Sequence, residues 1–224
     1  MNRGGIATEI AVQRLIAVVR LGSASQLHDV VHALVDGGIN IIELTMTIPD
    51  ALTAIERLAG SLPRSVVLGA GTITDTKTAV AAIDAGARFV VSPVCRTELI
   101  GACHARDTVM MPGCLTPTEI LAATEAGADF VKVFPASAVG PSFIRDLRGP
   151  FPGVRLVPTG GIGIDNAREW LAAGATAVGV GGALLDRQVI AAGDFRALSG
   201  IARRLVTQIR DEFRLALDEA PIGE

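Results

Sequence analysis

The sequence predicts a single-domain (β/α)8 barrel over residues 1–224, with a short leading helix, and three observations carry that prediction. Strand-like apolar segments alternate with helix-like segments about every 22 residues, eight times in all. Four strands follow a small-residue turn in which glycine ends the preceding helix, as in Asp84-Ala-Gly-Ala87. The length of 224 residues suits one α/β barrel, and no insertion is long enough to form a second domain.

The predicted elements follow one another without a linker or a low-complexity tract. A short helix occupies the residues up to Gln13. The strands are predicted at Leu15–Arg20, Ile39–Met46, Val66–Thr72, Phe89–Pro93, Thr108–Cys114, Phe130–Ala136, Leu156–Gly161 and Ala177–Val180. The helices that follow them are predicted at Ser25–Asp36, Asp50–Ala59, Asp75–Ala85, Thr97–Ala105, Pro117–Ala126, Pro141–Leu147, Asp165–Ala173 and Phe195–Leu217. Eight regular parallel units favour a closed barrel over an open doubly wound sheet.

Capping residues and apolar spacing support the helix assignments. Thr116-Pro-Thr-Glu119 has a cap and a proline where a helix start needs them, and Pro49-Asp50 marks another start. Apolar residues recur at helical spacing in the last helix and predict a buried stripe at Leu198, Ile201, Leu205, Ile209 and Phe213.

Composition restricts the class of protein. The formal net charge of -3 offers no basic surface of the kind that nucleic acid requires. No apolar run reaches the roughly 18 residues that cross a bilayer, and no signal peptide is evident, so no membrane partner is expected. Cys95, Cys103 and Cys114 lack metal-type spacing, which indicates packed thiols in a reducing cytoplasmic compartment. His28 and His32 stand four residues apart without an evident third ligand, so we expect a solvated helix face and no metal.

One apolar segment, Asp129–Ala136, carries a lysine at its centre. Period-two alternation places Phe130, Lys132 and Phe134 on one face of the strand. Burying an ammonium group is costly unless it is paired or loses its proton. The only other lysine is Lys77, and the remaining basic residues are arginines, which cannot supply a nucleophilic amine. Lys132 is therefore either a Schiff-base lysine or a strand-end lysine that extends to solvent, and the strand alone does not decide between them.

The active site of such a barrel lies at the carboxyl ends of its strands, where polar residues of this chain gather. Glu43 is the only glutamate within a predicted strand, in a setting as apolar as that of Lys132. The pair suits proton transfer at a carbinolamine or enamine, although a structural ion pair across the barrel would also explain it. Gly160-Gly161 and Gly181-Gly182 follow the last two strands, where backbone N–H groups commonly bind phosphate. Arg20 could add positive charge there or form a structural salt bridge.

Several motifs together resemble one known family. They occur in order at Val66–Thr72, Phe89–Pro93, Met111-Pro-Gly113, Phe130–Ala136 and Pro158-Thr-Gly-Gly-Ile162. This combination resembles the 2-keto-3-deoxy-6-phosphogluconate (KDPG) aldolases of the Entner–Doudoroff route, which are often also 4-hydroxy-2-oxoglutarate (KHG) aldolases. The similarity extends from about Arg14 to Asp186, nearly the whole barrel.

The resemblance implies a class I aldolase that requires no metal or other cofactor and assembles as a homotrimer. It implies that Lys132 forms the Schiff base and that Glu43 acts as general acid and base through water. The substrate-binding residues that it implies are Thr72, Pro93 and Phe134 at the pyruvyl group, Thr159 at the sugar-acid portion, and Gly160, Gly161, Gly181 and Gly182 at the phosphate.

Two positions depart from the best-known members. Thr47 replaces an arginine associated with the substrate carboxylate, and Ala183 replaces a serine that follows the last glycine pair. Thr47 remains a predicted substrate-binding residue, as does Arg20. The departures leave open which acyl or phosphate group the site prefers.

The predicted reaction is cleavage of KDPG, a small phosphorylated keto acid, to pyruvate and glyceraldehyde 3-phosphate. The first alternative is the same chemistry on the galactonate epimer of KDPG or on KHG. The second is a phosphosugar isomerase or synthase barrel in which Lys132 merely pairs with phosphate. The third is a catalytically silent phosphate-binding barrel that serves as a subunit scaffold.

Overall fold

The structure is a computed structural model that describes the backbone of residues 1–218 and the side chains of residues 1–210. Its strands are β1 Leu15–Val19, β2 Ile41–Thr45, β3 Val67–Gly71, β4 Phe89–Val91, β5 Val109–Met111, β6 Gly113–Cys114, β7 Val131–Val133, β8 Leu156–Pro158 and β9 Val178–Val180. Its helices are α1 Arg3–Gln13, α2 Leu27–Asp36, α3 Ala51–Ser61, α4 Thr76–Asp84, α5 Thr97–His104, α6 Pro117–Glu125, α7 Pro141–Leu147, α8 Ala167–Ala172, α9 Arg187–Ala191 and α10 Phe195–Asp218. None of these helices is long and apolar enough to cross a membrane.

The paired strands are all parallel and form the predicted eight-unit barrel. One arc has the order β5-β4-β3-β2-β1-β9 and the other the order β6-β7-β8. A parallel bridge between Thr159 and Gly179 joins β8 to β9. The remaining junction is the predicted fifth strand, which Pro112 divides into β5 and β6 because proline has no N–H to donate. Its carbonyl still accepts a hydrogen bond from the backbone N–H of Lys132 at 2.9 Å.

Several strands end earlier than the sequence predicts. β7 ends at Val133 and β8 at Pro158, and a short 3-10 turn at Ala136–Ala138 follows β7. After β8 the chain leaves the sheet because Gly160 and Gly161 adopt left-handed backbone conformations, with φ of 100° and 75°. Because the strands end early, the predicted site residues that follow them lie in loops at the carboxyl end of the barrel.

Alternate strand residues build two separate cores. The outward-facing residues pack beneath the helices in one large cluster. The inward-facing residues near the amino ends of the strands form the second cluster, which contains Ile16, Ile41, Val67, Phe89, Val91, Val109, Met111, Phe130, Val157 and Ala177. Ile6, Ala7 and Ile10 of α1 belong to this second cluster and close the amino end of the barrel. The carboxyl end has no such plug within the described chain.

The last helix packs on the flank of the barrel. α10 contacts α2, α8 and α9, and Gly37 permits its close approach, because a Cβ there would lie 2.4 Å from the Cβ of Ala202. The predicted apolar stripe is confirmed at Leu198, Leu205 and Ile209, which are buried, and at Ile201, which is partly buried. Phe213 lies outside the described side chains.

Candidate active site

Lys132 and Glu43 enter the barrel from opposite walls. β7 and β2 are separated by β8, β9 and β1 around the barrel. Lys132 follows the inward-facing Phe130 by two positions, and Glu43 follows the inward-facing Ile41 by two, so both side chains point into the barrel. Lys132 is 5% exposed and Glu43 is 2% exposed. No ion pair joins them in the described part of the chain. The alternative of a direct structural ion pair is therefore not what the structure contains.

Burial dominates the electrostatics of Glu43. Desolvation raises the pKa of its carboxyl group, and the positive charges of Lys132 and Arg20 oppose that rise. Its Oε1 atom is buried and has no hydrogen-bond partner among the described residues. A carboxyl group with a raised pKa and an unused oxygen is suited to exchange protons with water or a substrate hydroxyl.

Glycines make room for the polar side chains inside the barrel. A Cβ at Gly71 of β3 would lie only 1.8 Å from Oε1 of Glu43. A Cβ at Gly179 of β9 would lie 2.3 Å from Oγ1 of Thr159. Thr72, directly after Gly71, has a φ of 63°, a conformation that β-branched residues rarely adopt. Such backbone strain is often found at functional sites, and Thr72 directly follows Gly71, which packs against Glu43.

Phe134 and Pro93 lie near Lys132. The Nζ atom of Lys132 is 4.9 Å from the centroid of the Phe134 ring, within the range of a cation–π contact. Gly113 is the register partner of Lys132, and it packs so tightly against Pro93 that a Cβ would lie 2.5 Å from the Pro93 carbonyl. An aromatic ring therefore contacts the amine, and Pro93 packs against the strand that pairs with Lys132.

A cavity of about 1200 Å³ opens beyond the carboxyl ends of β1, β8 and β9. The predicted site residues in its lining are Arg20, Thr47, Phe134, Thr159, Gly160, Gly161, Gly181 and Gly182. Glu43, Lys132, Thr72 and Pro93 are not part of this lining. Phe134 connects the two groups, since it lines the cavity and contacts Lys132, and Val18 lines it beside its register partner Glu43. All twelve predicted residues thus lie at one end of the barrel.

The loops after β8 and β9 present backbone donors to the cavity. The N–H groups of Gly161, Gly182 and Ala183 donate to no acceptor within the described residues. Asn166 holds the first loop in shape: its Oδ1 accepts from the Gly163 N–H at 2.9 Å, and its Nδ2 donates to the Gly161 carbonyl at 2.9 Å. Unused N–H groups on adjacent loops are suited to bind an anion.

Thr47 presents a neutral hydroxyl to the cavity. The Oγ1 atoms of Thr45 and Thr47 are 2.9 Å apart, and Thr45 donates to the Val19 carbonyl at 3.1 Å. Of the two alternatives for Arg20, the structural salt bridge is not formed, since Arg20 makes no ion pair with any described residue. Arg20 remains an exposed cation of the cavity.

Sequence reasoning missed several polar residues that line the cavity, namely Ser23, Gln26, Asp165, Asn166 and Arg187. They lie in loops or helix starts, whereas the sequence patterns indicate site residues only at strand ends. Asn166 carries a local signal, because asparagine near glycines commonly organises a turn. Gln26 carries none, because the Ile190 carbonyl to which it donates is 164 residues away in the chain.

The cysteines and histidines lie apart from this site. All three cysteines are free, and burial raises the pKa of the Cys103 thiol to about 11, as expected for a packed thiol. The His28 and His32 ring centroids are 4.2 Å apart. Across the described residues, no three His, Cys, Asp or Glu side chains cluster as metal ligands would.

A buried lysine opposite a buried carboxyl, at the open end of an α/β barrel, defines the site of an enzyme. The family model of the KDPG and KHG aldolases matches residues 6–201. The chain belongs to the KDPG and KHG aldolase family, whose members are carbon–carbon lyases.

Relatives with curated names match most of the chain. It is 32% identical over 203 residues to the 2-dehydro-3-deoxy-phosphogluconate aldolase of Pseudomonas aeruginosa, spanning 90% of this chain and 91% of the relative. It is 36% identical to the probable 2-dehydro-3-deoxy-6-phosphogalactonate aldolase of Rhizobium meliloti, over 81% and 86% of the two chains. KDPG aldolase from Legionella pneumophila, solved with pyruvate captured as a covalent carbinolamine, superposes with a TM-score of 0.82 at 28% identity, over 89% and 97%.

Proposed function

We propose that this protein is a class I aldolase that cleaves KDPG to pyruvate and glyceraldehyde 3-phosphate. The observation that carries the proposal is Lys132, a buried amine on β7 with no ion-pair partner in the described chain, opposite the buried Glu43. Family membership supports it, as does the carbinolamine that pyruvate forms in the Legionella pneumophila enzyme.

The first half of the proposed reaction builds the iminium ion. After losing its proton, the amine of Lys132 attacks the C2 carbonyl carbon of KDPG and forms a carbinolamine. Glu43, acting through water, supplies the proton with which the carbinolamine hydroxyl leaves as water. The raised pKa of the Glu43 carboxyl favours this acidic role.

The second half breaks the carbon–carbon bond. Glu43, now a carboxylate, takes the proton of the C4 hydroxyl through water, and the C3–C4 bonding electrons move into the iminium to give an enamine. Glyceraldehyde 3-phosphate leaves as the aldehyde product. Protonation of the enamine at C3 restores the iminium, and water hydrolyses it to pyruvate and free Lys132.

The remaining predicted residues are assigned to substrate binding. We place the pyruvyl group against Thr72, Pro93 and Phe134, and the sugar-acid chain beside Thr159 and Thr47. The phosphate then meets Arg20 and the glycine loops. The unused N–H groups of these loops and the cavity that they line support this orientation.

A second candidate is the same chemistry on the galactonate epimer. The relative from Rhizobium meliloti, named for that substrate, is 36% identical to this chain. The neutral Thr47 hydroxyl also leaves the substrate preference open. Steady-state kcat/KM values for KDPG, its galactonate epimer and KHG would rank the three substrates, and the highest value would identify the preferred one.

Trapping with pyruvate and borohydride tests the proposed function. Reduction should add one pyruvyl group to the intact mass, and peptide mapping should place it on Lys132, with Lys77 as the internal control. Lys132→Arg keeps the positive charge but lacks a nucleophilic amine, so it should form no adduct and show no cleavage of KDPG. A folded wild-type protein that forms no adduct would favour an isomerase or synthase in which Lys132 only binds phosphate.

We further propose that the chain acts as a single-domain subunit of a homotrimer in the cytoplasm. The continuous barrel and the three free cysteines support a single domain in a reducing compartment. Light scattering should give about three times the chain mass of 23.1 kDa. A monomer mass would contradict the trimer without affecting the assigned chemistry.

A further inference from the structure

The outer wall of the cavity carries a second cation. Arg187, the first residue of α9, lines the cavity and is exposed. Its side chain takes part in no hydrogen bond or ion pair with another described residue. Arg20 and Arg187 are the only basic side chains in the described lining, and Asp165 is the only acidic one. The formal charge of the lining is therefore positive.

Arg187 lies close in sequence to the backbone donors of the last glycine loop. Gly182 and Ala183 line the same cavity and have unused N–H groups in the described structure. Ala183 provides no hydroxyl group, so the side chains of this loop offer an anion no donor. The Arg187 guanidinium offers several N–H donors in a planar fork that matches phosphate geometry.

A single hydrogen bond connects the two walls that bear the arginines. Gln26 stands directly before α2, after the loop that follows Arg20, and its Nε2 donates to the Ile190 carbonyl of α9 at 2.8 Å. This bond is partly buried and joins segments 164 residues apart in the chain. Gln26 therefore holds α9, and with it Arg187, against the loop that begins at Arg20.

We propose that Arg187 determines specificity for a phosphorylated substrate by binding its dianionic end together with Arg20, and that Gln26 is a positioning residue for α9. A phosphate monoester carries about -1.5 to -2 charges near neutral pH, which two guanidinium groups can balance. The inference rests on the proposed function, because the keto end of the same substrate must reach Lys132.

Substitution of Arg187 tests the proposal through a comparison of two substrates. Arg187→Gln should lower kcat/KM for KDPG roughly 10- to 100-fold, mainly through KM, because a charge-assisted contact is lost. With unphosphorylated 2-keto-3-deoxygluconate, kcat/KM should change less than about twofold. Arg187→Lys should restore part of the loss. Arg57→Gln on α3 makes the same change of charge on an exposed residue outside the cavity and should leave both substrates unaffected.

Substitution of Gln26 tests the positioning role. Gln26→Leu removes the bond to Ile190, and it should raise KM for KDPG with kcat nearly unchanged. KM for 2-keto-3-deoxygluconate should not change. A general loss of structure would instead lower kcat for both substrates and reduce the yield of the pyruvate adduct.

Binding of inorganic phosphate tests the role of Arg187 independently of the aldolase reaction. The inhibition constant of phosphate against KDPG cleavage should rise about tenfold in Arg187→Gln. If wild-type protein forms the adduct but Arg187→Gln affects both substrates equally, or neither, the role of Arg187 is wrong and the aldolase assignment stands. If the wild type forms no adduct, calorimetric titration with inorganic phosphate still tests Arg187, and equal affinity in the variant would overturn the anion site.

Discussion

The two ends of the barrel are built from the same strands, yet their inward-facing residues have opposite properties. At the amino end, α1 inserts Ile6 and Ile10 among the apolar inward residues and fills the interior of the barrel. At the carboxyl end, the inward positions of the same strands hold Glu43, Lys132 and small glycines, and a cavity of about 1200 Å³ opens beyond them. One end is filled for stability and the other is left open for a substrate.

The carboxylates Asp129 and Glu43 at the two ends also differ in how their hydrogen bonds are satisfied. At the closed end, Asp129 accepts from the Met110 N–H at 2.9 Å and from His104 at 3.0 Å, and Arg3 lies 3.8 Å away. At the open end, Oε1 of Glu43 is buried without any partner among the described residues. A partly buried carboxylate with satisfied hydrogen bonds stabilises the fold, whereas a buried carboxyl oxygen without a partner remains available for a reacting molecule.

Glu43→Gln should give the largest effect, lowering catalytic activity while raising the stability of the fold. Loss of general acid–base catalysis should lower kcat about 10²- to 10⁴-fold, while the adduct on Lys132 still forms slowly. The variant should be more stable than wild type near neutral pH, by about 1 kcal/mol or roughly 2–4 °C in Tm, because a desolvated carboxylate is removed. Steady-state kinetics and thermal unfolding measure the two effects.

The pH dependence of stability provides a check on Glu43. Its pKa is raised in the folded state, so between its ordinary value of 4.5 and the folded value the native protein binds more protons than the unfolded chain. Wild-type stability should therefore fall as pH rises through that window, and Glu43→Gln should lack this component. If the free energy of unfolding has the same pH dependence in wild type and Glu43→Gln, then burial does not raise the pKa of Glu43 in the folded protein.

Ile10→Ala should give the next largest effect, on stability alone. Ile10 is fully buried in the plug of the closed end, and its truncation should lower the free energy of unfolding by about 2–5 kcal/mol. kcat for KDPG should not change, since the cavity lies at the other end. Val12→Ala is the control, because Val12 lies on the same helix and is 67% exposed. Loss of kcat in folded Ile10→Ala would contradict the separation of the two ends.

Gly71→Ala tests whether the open end depends on space rather than on polar groups alone. The added Cβ would overlap Oε1 of Glu43 and should displace the carboxyl group, lowering kcat about 10- to 100-fold. Gly101→Ala on α5 is the control, because no atom lies within 4 Å of its added Cβ. The control should keep full activity and gain about 0.5–1 kcal/mol of stability. Normal kcat in Gly71→Ala would mean that the position of Glu43 is not critical.

The sequence predicted the barrel because each unit carries its own period of apolar residues. The same alternation predicted that Lys132 and Phe134 would share a face, and the structure places the amine 4.9 Å from that ring. It did not predict the division of the fifth strand, because Pro112 stands within an otherwise continuous strand pattern. The face on which a strand-end residue lies can therefore be predicted from the sequence only where period-two alternation continues to the end of the strand.

Site residues that depend on contacts between distant parts of the chain could not be predicted from the sequence. Arg187 and Gln26 lie outside the strand ends, and only the folded chain brings α9 against the start of α2. The plug of the closed end is hidden for the same reason. A short leading helix was predicted, but nothing local in Ile6 or Ile10 indicates which end of the barrel they fill.

Asp129→Asn should give the smallest effect, and it addresses the closed end's polar network directly. The amide oxygen can still accept from the Met110 N–H, but the negative charge that faces Arg3 is lost and the hydrogen bond from His104 is weakened. Stability measured by urea unfolding should fall by about 1–2 kcal/mol, less than for Ile10→Ala, because these partly exposed contacts contribute less than core burial. Asp146→Asn on exposed α7 should change stability by less than about 0.5 kcal/mol. Because Asp129 and Glu43 are both carboxylates of the barrel, a loss of kcat in Asp129→Asn as large as that in Glu43→Gln would show that the closed end also takes part in the chemistry.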